Sequence, residues 1–200
     1  MIYFTSDTHF GDDRLNLYGR DLVCKTSEEM DNLIIDNWNS IVTDDDTVYH
    51  LGDVAMNEES LKQVLKLNGK KILIKGNYDD KIADEVLLQY FSAVHKNLVV
   101  EHGAKSIPQK LLFLNHYPTK ADDMMFNIVG HIHGLWKVQR NTINVGCDAW
   151  HFKPISMDLV LFSINGINKF YDQNVFAGEI IANLKYAPKE SLESIKTLIS

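Results

Sequence analysis

Seven side chains with oxygen or nitrogen donor atoms follow short apolar runs of the chain, and none is a thiolate: Asp7, His9, Asp53, Asn77, His116, His131 and His133. Each one taken alone is most simply a packing or surface residue, but their recurrence after apolar runs indicates a metal site. Carboxylate, imidazole and amide donors suit manganese, iron, zinc or nickel better than calcium. The set exceeds what one ion needs, so we expect two ions bridged by Asp53. Two ions about 3.5–4 Å apart can hold both sides of a phosphoryl displacement and generate a hydroxide nucleophile at neutral pH.

The elements that would position these donors are short strands, each ending next to a polar residue. β-Branched, aromatic and aliphatic content predicts strands over 1–6, 48–51, 70–75, 111–114, 128–129, 142–145 and 159–164. Residues two apart in an extended segment point the same way, so Asp7 and His9 can converge. Gly52 allows a sharp turn before Asp53, at the carboxyl edge of the sheet where α/β folds place their chemistry.

Helical periodicity between the strands predicts the layers that cover them. Helices are expected over 27–41 with Ser27 as N-cap, over 58–67, over 82–91 and, at the periphery, over 187–200, whereas 91–100 is weakly marked. Strand, helix and strand in succession predict a mixed or largely parallel sheet, and the strand-rich second half adds another. The predicted fold class is α/β, a two-sheet mixed β-sandwich flanked by helices. We expect a main domain over 1–170 and a C-terminal extension over 171–200.

Composition and charge limit the partners. The chain has 200 residues, of which 45% are hydrophobic and 24% charged, as is ordinary for a globular protein. Its net charge of −7 argues against extended nucleic acid but allows a small phosphoester or nucleotide whose charge bound cations would balance. Cys24 and Cys147 show no CxxC spacing, which favours a reducing compartment, and no apolar run reaches membrane-spanning length. We expect a soluble, cytoplasmic protein without membrane contact and leave its oligomeric state open.

Over about residues 1–165 the chain resembles the calcineurin-like metallophosphoesterases, and most closely a bacterial and phage group of small phosphoesterases. The resemblance is carried by Asp7-x-His9, Gly52-Asp53, Gly76-Asn77-x-Asp79, Asn115-His116 and Gly130-His131-x-His133. It implies that Asp7, His9 and His133 hold one ion. It further implies that Asn77, His116 and His131 hold the other, with Asp53 between them. The family fold is a two-sheet sandwich flanked by helices, in agreement with the expectation above.

Two positions depart from the family pattern. Tyr78 and Asp12 stand where the similar proteins usually carry histidine, and the first of those histidines is thought to contact the phosphate and assist the leaving group. A phenol with a pKa near 10 is a poor general acid at neutral pH, although it can donate a hydrogen bond to a phosphate oxygen. Three explanations stay open: a preference for diesters, another acid such as His50 or His151, or weakened catalysis.

Candidate roles follow for the remaining residues. The catalytic candidates are Asn77, Asp53, Tyr78 and His50. The substrate-binding candidates are Arg14, Arg20 and His151, the arginines because a guanidinium in a loop can clamp a phosphate, although solvated surface is the simpler role for either.

Three hypotheses about function result. The first is a dinuclear hydrolase of small or nucleotide-like phosphate esters that acts through a metal-activated hydroxide, with two divalent ions, manganese foremost. The second is a phosphodiesterase acting on cyclic nucleotides or nucleic-acid ends. The alternative from a different class is a non-catalytic metal-binding sensor or scaffold that retains the fold.

Overall fold

The computed structural model describes residues 1–139 and 141–170, and it is in this part of the chain that the following elements lie. The strands are β1 (Ile2–Thr5), β2 (Thr47–His50), β3 (Lys70–Ile74), β4 (Ala93–His95), β5 (Asn97–Glu101), β6 (Leu111–Asn115), β7 (Phe126–Val129), β8 (Val138–Gln139), β9 (Thr142–Asn144) and β10 (Ile155–Ser156). The α-helices are α1 (Ser27–Asn39), α2 (Asp84–Leu87) and α3 (Met157–Phe170). Short 3-10 segments cover Leu15–Tyr18, Arg20–Leu22, Ser60–Lys66, Asp79–Lys81, Pro118–Lys120 and Cys147–Trp150.

The described strands form two mixed five-stranded sheets. In the first, with the order β10-β1-β2-β3-β4, strands β1 to β4 are parallel and β10 is antiparallel to β1. In the second, with the order β5-β6-β7-β9-β8, strands β6, β7 and β9 are parallel and the two outer strands are antiparallel. Just beyond β1, Ser6 pairs with Gly146 just beyond β9, so the sheets are joined at the carboxyl ends of parallel strands. The predicted α/β class with two mixed sheets is confirmed.

Helix α1 covers the first sheet with an apolar face. Ile34 and Trp38 are almost fully buried in the same hydrophobic cluster as Val48 of β2 and Leu73 of β3. The indole N–H of Trp38 donates to the Asn68 carbonyl at 3.0 Å, so the ring is buried without losing its polar contact. Burial of each such large side chain stabilises the fold by about 1.5–3 kcal/mol. This packing fixes the edge of the sheet that carries the donor residues.

Several predicted elements differ from the structure. The N-cap of α1 is Thr26 rather than Ser27, because the Thr26 hydroxyl accepts the Glu29 N–H. The predicted helix over 58–67 is a 3-10 segment whose buried residues, Leu61 and Val64, are three apart, which matches three residues per turn. The predicted helix over 82–91 is reduced to the four residues of α2. The weakly marked 91–100 contains β4 and most of β5.

The predicted strand over 159–164 is wrong, because this run belongs to α3. Val160 and Ile164, four residues apart, are fully buried, whereas Phe162 between them is 74% exposed. An alternating strand would have buried residue 162 with its two neighbours on the same face. A short apolar run cannot by itself distinguish a buried strand from a helix.

The described part of the chain extends five residues past the first compact unit. Met1–Asn165 form the first unit and Gly166–Ser200 the second, of which the structure describes residues 166–170. The predicted domain boundary after residue 170 stays a prediction, and the predicted helix over 187–200 lies outside the described residues. Within the described part, no helix is both long and apolar enough to cross a membrane.

Candidate metal centre

All seven predicted donor residues lie in loops that follow parallel strands, and backbone hydrogen bonds bring these loops together. The Asp7 N–H donates to the Gly52 carbonyl at 2.9 Å, and the His9 N–H donates to the Asp53 carbonyl at 3.1 Å. In the second sheet, the Gly130 N–H donates to the His116 carbonyl at 3.0 Å. The loops after β1 and β2 therefore run side by side, and so do those after β6 and β7.

Five of the seven donor residues have a left-handed backbone, which is uncommon for residues other than glycine. Their φ angles are 59° for Asp7, 48° for His9, 55° for Asp53, 73° for His131 and 50° for His133. Each such conformation costs on the order of 1–3 kcal/mol and persists only where the surroundings enforce it. Strain concentrated on the donor residues marks this edge as a functional site rather than a set of ordinary turns.

Glycines next to the donor residues make room for their side chains. A Cβ at Gly76 would overlap the Asp53 carboxylate, and one at Gly130 would overlap the Asp7 carboxylate. Gly52 has a φ of 87°, and a Cβ there would collide with the backbone of Gly76. The glycines that precede Asp53, Asn77 and His131 in the sequence are therefore required sterically, because the loops touch at these points.

The side chains gather in two clusters. Asp7, His9 and His133 form the first, and each offers one ligand atom within 4.8 Å of those of the other two. Asp53, His116 and His131 form the second by the same criterion. Both groups have the composition of a site for a divalent transition-metal ion.

Asp53 links the two clusters. Its Oδ2 lies 3.7 Å from His9 Nε2 of the first cluster and 3.5 Å from His116 Nε2 of the second. A second link is the His131 N–H, which donates to the Asp7 carboxylate at 2.9 Å. One carboxylate therefore lies between histidines of both groups, where a ligand shared by two ions would be.

Buried polar atoms without a partner test whether ions fit these clusters. Among the described residues, both ring nitrogens of His9 and the Oδ1 of Asn77 are buried without a hydrogen-bond partner. Burying a polar group without a partner costs several kcal/mol on transfer scales, so native proteins usually provide one. A cation would give a partner to the one unprotonated nitrogen of the neutral His9 ring and to Asn77 Oδ1, so the residues present fit a metal centre.

The electrostatics of the buried groups agree with this conclusion. Burial lowers the pKa of His9 to about 3 and also lowers the pKa of His131, so both imidazoles keep their lone pairs at neutral pH. Burial raises the pKa of Asp7. Burial opposes ionisation of Asp53 and His116, but their mutual attraction outweighs it, so the pKa of Asp53 is lowered and that of His116 raised. A cation would stabilise both carboxylates and would displace the His116 proton.

The first cluster is oriented by buried side chains that carry charge. Asp148 accepts from His133 Nδ1 at 2.8 Å, which leaves Nε2 as the ligand nitrogen. Arg20 binds the Asp148 carboxylate through Nε and Nη2 at 2.7 and 2.9 Å. The same guanidinium donates to the carbonyls of Asp7 and Thr8. Asp148 received no role from the sequence, although it follows a strand in the same way as the donors do.

The second cluster is oriented mainly by the backbone. The Leu51 carbonyl lies 2.6 Å from His116 Nδ1, so this ring presents Nε2 to the cluster. The loop that carries Asp53 is held by Asp79, whose carboxylate accepts the N–H groups of Asp53, Val54 and Gly76 at 2.7–3.1 Å. Asp79 belongs to the sequence motif, but its function as a loop anchor was not evident from the sequence.

Two of the sequence-based candidates lie where their expected roles do not fit. His50 is 1% exposed, stacks on Trp38 and shares a 3.0 Å hydrogen bond between its Nε2 and the Thr8 hydroxyl. Burial lowers its pKa to about 3, so the ring is neutral at neutral pH and is not the imidazolium that a general acid requires. Arg20 is also 1% exposed and fully engaged, so it orients donor residues and cannot reach a substrate. These two expectations are corrected.

The other candidates lie closer to solvent. The Tyr78 N–H donates to Asp53 Oδ1 at 2.9 Å, and its hydroxyl accepts from Arg14 Nη2 at 2.9 Å. Tyr78 and Arg14 therefore lie at the edge of the clusters. His151 is exposed and has a φ of 56°, and neither cluster includes it.

The fold and the two clusters define a two-sheet α/β protein with a candidate dinuclear metal centre. No protein-family model matches the chain. The chain is 30% identical over 174 residues to the uncharacterized protein MJ1445 of Methanocaldococcus jannaschii, across 80% of this chain and 89% of that protein. It therefore belongs to the same family as MJ1445.

Two solved structures are also similar. The protein of unknown function AQ665 from Aquifex aeolicus has a TM-score of 0.61 and 27% identity, across 80% of this chain and 97% of that one. The nuclease MPE from Pseudomonas putida has a TM-score of 0.45 and 17% identity, across 69% and 64% of the two chains. The likeness to the nuclease is too slight to carry a conclusion about function, so the function must be argued from the site.

Proposed function

We propose that this protein is a calcineurin-like metallophosphoesterase, a dinuclear metal-dependent hydrolase of phosphate esters. The observation that carries the proposal is the position of Asp53 Oδ2 between His9 and His116, one histidine from each cluster. Two divalent ions bound here would supply Lewis-acid activation of water and of the ester. Manganese is the first candidate, with iron, zinc and nickel compatible with the same donors.

Some residues would bind the two ions as ligands, and others orient those ligands. Seven would act as ligands: Asp7, His9 and His133 for one ion, Asn77, His116 and His131 for the other, and Asp53 for both. Asp148 and the Leu51 carbonyl fix the two histidine rings whose Nδ1 atoms they contact. Such outer contacts orient ligands and raise their basicity.

A cavity that opens to solvent lies beside the clusters and could hold part of a substrate. It has a volume of about 700 Å³ and is bordered by His131 and His133 on one side and by Leu17, Tyr18 and Leu135 on others. This volume lies within the range of small-molecule sites, roughly 300–1,000 Å³. We therefore propose a small or nucleotide-like ester whose organic group lies in the cavity. The net charge of −7 disfavours extended nucleic acid.

The proposal extends to the compartment and to the domain that carries the activity. Cys24 and Cys147 are free and buried, which suits a reducing compartment such as the cytoplasm. The predicted main domain over 1–170 contains every residue to which we assign a function.

The test is hydrolysis by metal-free protein to which manganese, nickel, zinc or magnesium is added back in turn. p-Nitrophenyl phosphate represents monoesters and bis-p-nitrophenyl phosphate represents diesters. We expect turnover that depends on the added ion and that the Asp53→Asn variant loses while remaining folded. Two bound ions per chain with no turnover of either ester would contradict the proposal and favour the metal-binding sensor or scaffold.

A further inference from the structure

A network of three side chains stands at the rim of the centre. Arg14 donates to Asp12 through Nε at 2.9 Å and through Nη2 at 2.8 Å, which is a bidentate pairing. Arg14 Nη2 also donates to the Tyr78 hydroxyl at 2.9 Å. Asp12 and Tyr78 are the two residues that replace the family's usual histidines, so a single arginine connects both departures.

The network adjoins the clusters directly. The Tyr78 N–H donates to Asp53 Oδ1, and the Tyr78 ring meets the His9 ring edge-on with centroids 4.8 Å apart. The Asp12 side chain is 4% exposed, whereas that of Arg14 is 48% exposed. The buried Asp12 therefore holds the half-exposed Arg14, and Tyr78 connects this guanidinium to the Asp53 loop.

Two hydrogen-bond donors of the network are left for a ligand. The Tyr78 hydroxyl accepts from Arg14, so its own proton is free to be donated. Among the described residues, none accepts a hydrogen bond from Arg14 Nη1. A guanidinium and a hydroxyl close to a metal centre are suitable donors for phosphate oxygens.

The charge of the network sets the kind of phosphate it favours. Asp12 neutralises Arg14 and Tyr78 adds no charge, so the network offers hydrogen bonds without net charge. The bidentate pairing at 2.8–2.9 Å holds the Asp12 carboxylate directly against the Arg14 guanidinium. Lys81 lies over the Tyr78 ring at 4.4 Å, but this ammonium is exposed and screened by solvent. A monoester carries a charge near −2 above a pKa of about 6, whereas a diester carries −1.

We propose that Arg14 and Tyr78, held by Asp12, contact the substrate phosphate and make this site prefer phosphodiesters to phosphomonoesters. The inference rests on the proposed function and specifies its substrate class. The inference gives Tyr78 a role as a hydrogen-bond donor to the phosphate. This role does not require His50 to act as a general acid.

The experiment compares kcat/KM for bis-p-nitrophenyl phosphate and p-nitrophenyl phosphate in metal-loaded protein. We expect wild-type protein to prefer the diester. Asp12→Asn leaves Arg14 with an unbalanced charge and should shift the ratio toward the monoester by about five- to tenfold, as one added charge at short range would. Competitive inhibition by inorganic phosphate should strengthen in the same variant. Asp45→Asn, at an exposed loop position, is the matched control and should leave the ratio nearly unchanged.

Two further variants test the same inference if the Asp12→Asn variant does not fold or does not bind metal. Arg14→Gln, at a half-exposed position, should raise KM for both esters, and Tyr78→Phe should do so to a smaller degree. A wild-type preference for the monoester, an unchanged ratio in folded Asp12→Asn, or an unchanged KM in Arg14→Gln would overturn this inference alone. An absence of metal-dependent turnover in wild-type protein would instead overturn the proposed function on which it rests.

Discussion

The two clusters contain similar donors but are supported in different ways. The first, with Asp7, His9 and His133, is oriented by the buried Arg20–Asp148 pair. The second, with Asp53, His116 and His131, is oriented by the Leu51 carbonyl and by Asp79, which anchors a loop. Each cluster has two buried donors, and the third is the partly buried His133 in the first cluster and the exposed His131 in the second.

This difference in support leads us to expect two neighbouring sites of unequal rigidity. The Arg20–Asp148 ion pair holds His133 of the first cluster from inside the protein. The exposed His131 leaves the second cluster more open to solvent. We therefore expect the first cluster to bind its ion more tightly and the second to exchange its ion more readily.

Removing the shared carboxylate should have the largest effect, because it affects both clusters. We expect Asp53→Asn to lower kcat/KM for a phosphate ester by more than about 100-fold, the upper range for the loss of an outer contact alone. Steady-state kinetics and metal content measure this effect. Asp45→Asn, at an exposed loop position, is the control and should behave like wild type. Nearly normal turnover in Asp53→Asn would refute the shared ligand.

Replacing Asp148 should change the metal affinity of the first cluster without changing that of the second. Asp148→Asn weakens the support of His133 and Arg20, so affinity for one ion should fall by about 10- to 100-fold while the other ion stays bound. Titration calorimetry with manganese should then show that the tighter of the two wild-type binding events is weakened while the other keeps its affinity. Asp123→Asn, also exposed, is the control. Equal weakening of both sites would show that the clusters do not differ in the way described.

A larger residue at Gly76, where two loops touch, should displace the Asp53 carboxylate without changing any donor residue. Gly76→Ala places a Cβ against the Asp53 carboxylate, and overpacking of this kind costs about 1–3 kcal/mol in unfolding free energy. Denaturant unfolding measures the loss. Gly103→Ala is the matched control, since a Cβ there meets nothing within 4 Å. Equal stability of the two variants would contradict the close approach of the loops.

Added metal should stabilise the folded protein by an amount comparable to the loss in Gly76→Ala. Free manganese at about a hundredfold above its dissociation constant should raise the melting temperature by roughly 5–10 °C for a chain of this size. Differential scanning calorimetry with and without a chelator gives the value, and Asp148→Asn should gain less than wild type. A melting temperature that does not respond to metal would mean that neither cluster binds it in the native state.

The donor residues were accessible from sequence because each follows a strand whose apolar run is easily recognised. Asp7 and His9 do converge, but not through the two-residue period of extended backbone, because both residues have a left-handed backbone. The residues that orient the donors, Arg20 and Asp148, could not be predicted in this way. Arg20 has the appearance of a surface arginine, since nothing local shows that Asp148, more than a hundred residues later, pairs with it.

The errors in the fold have a similar origin. Residues 159–164 form an apolar run that suits a strand or a helix, and only burial of Val160 and Ile164 in the folded protein decides between them. The segment Ser60–Lys66 adopts a 3-10 conformation that its periodicity does not distinguish from an α-helix. Local pattern therefore predicts which residues meet at the sheet edge better than it predicts the elements around them.

The most direct test of the central claim is anomalous diffraction from crystals of the manganese-loaded protein. We predict two peaks about 3.5–4 Å apart, one at each cluster, with the Asp53 carboxylate between them. A single peak, or peaks away from Asp53, would contradict a dinuclear centre built on this shared carboxylate.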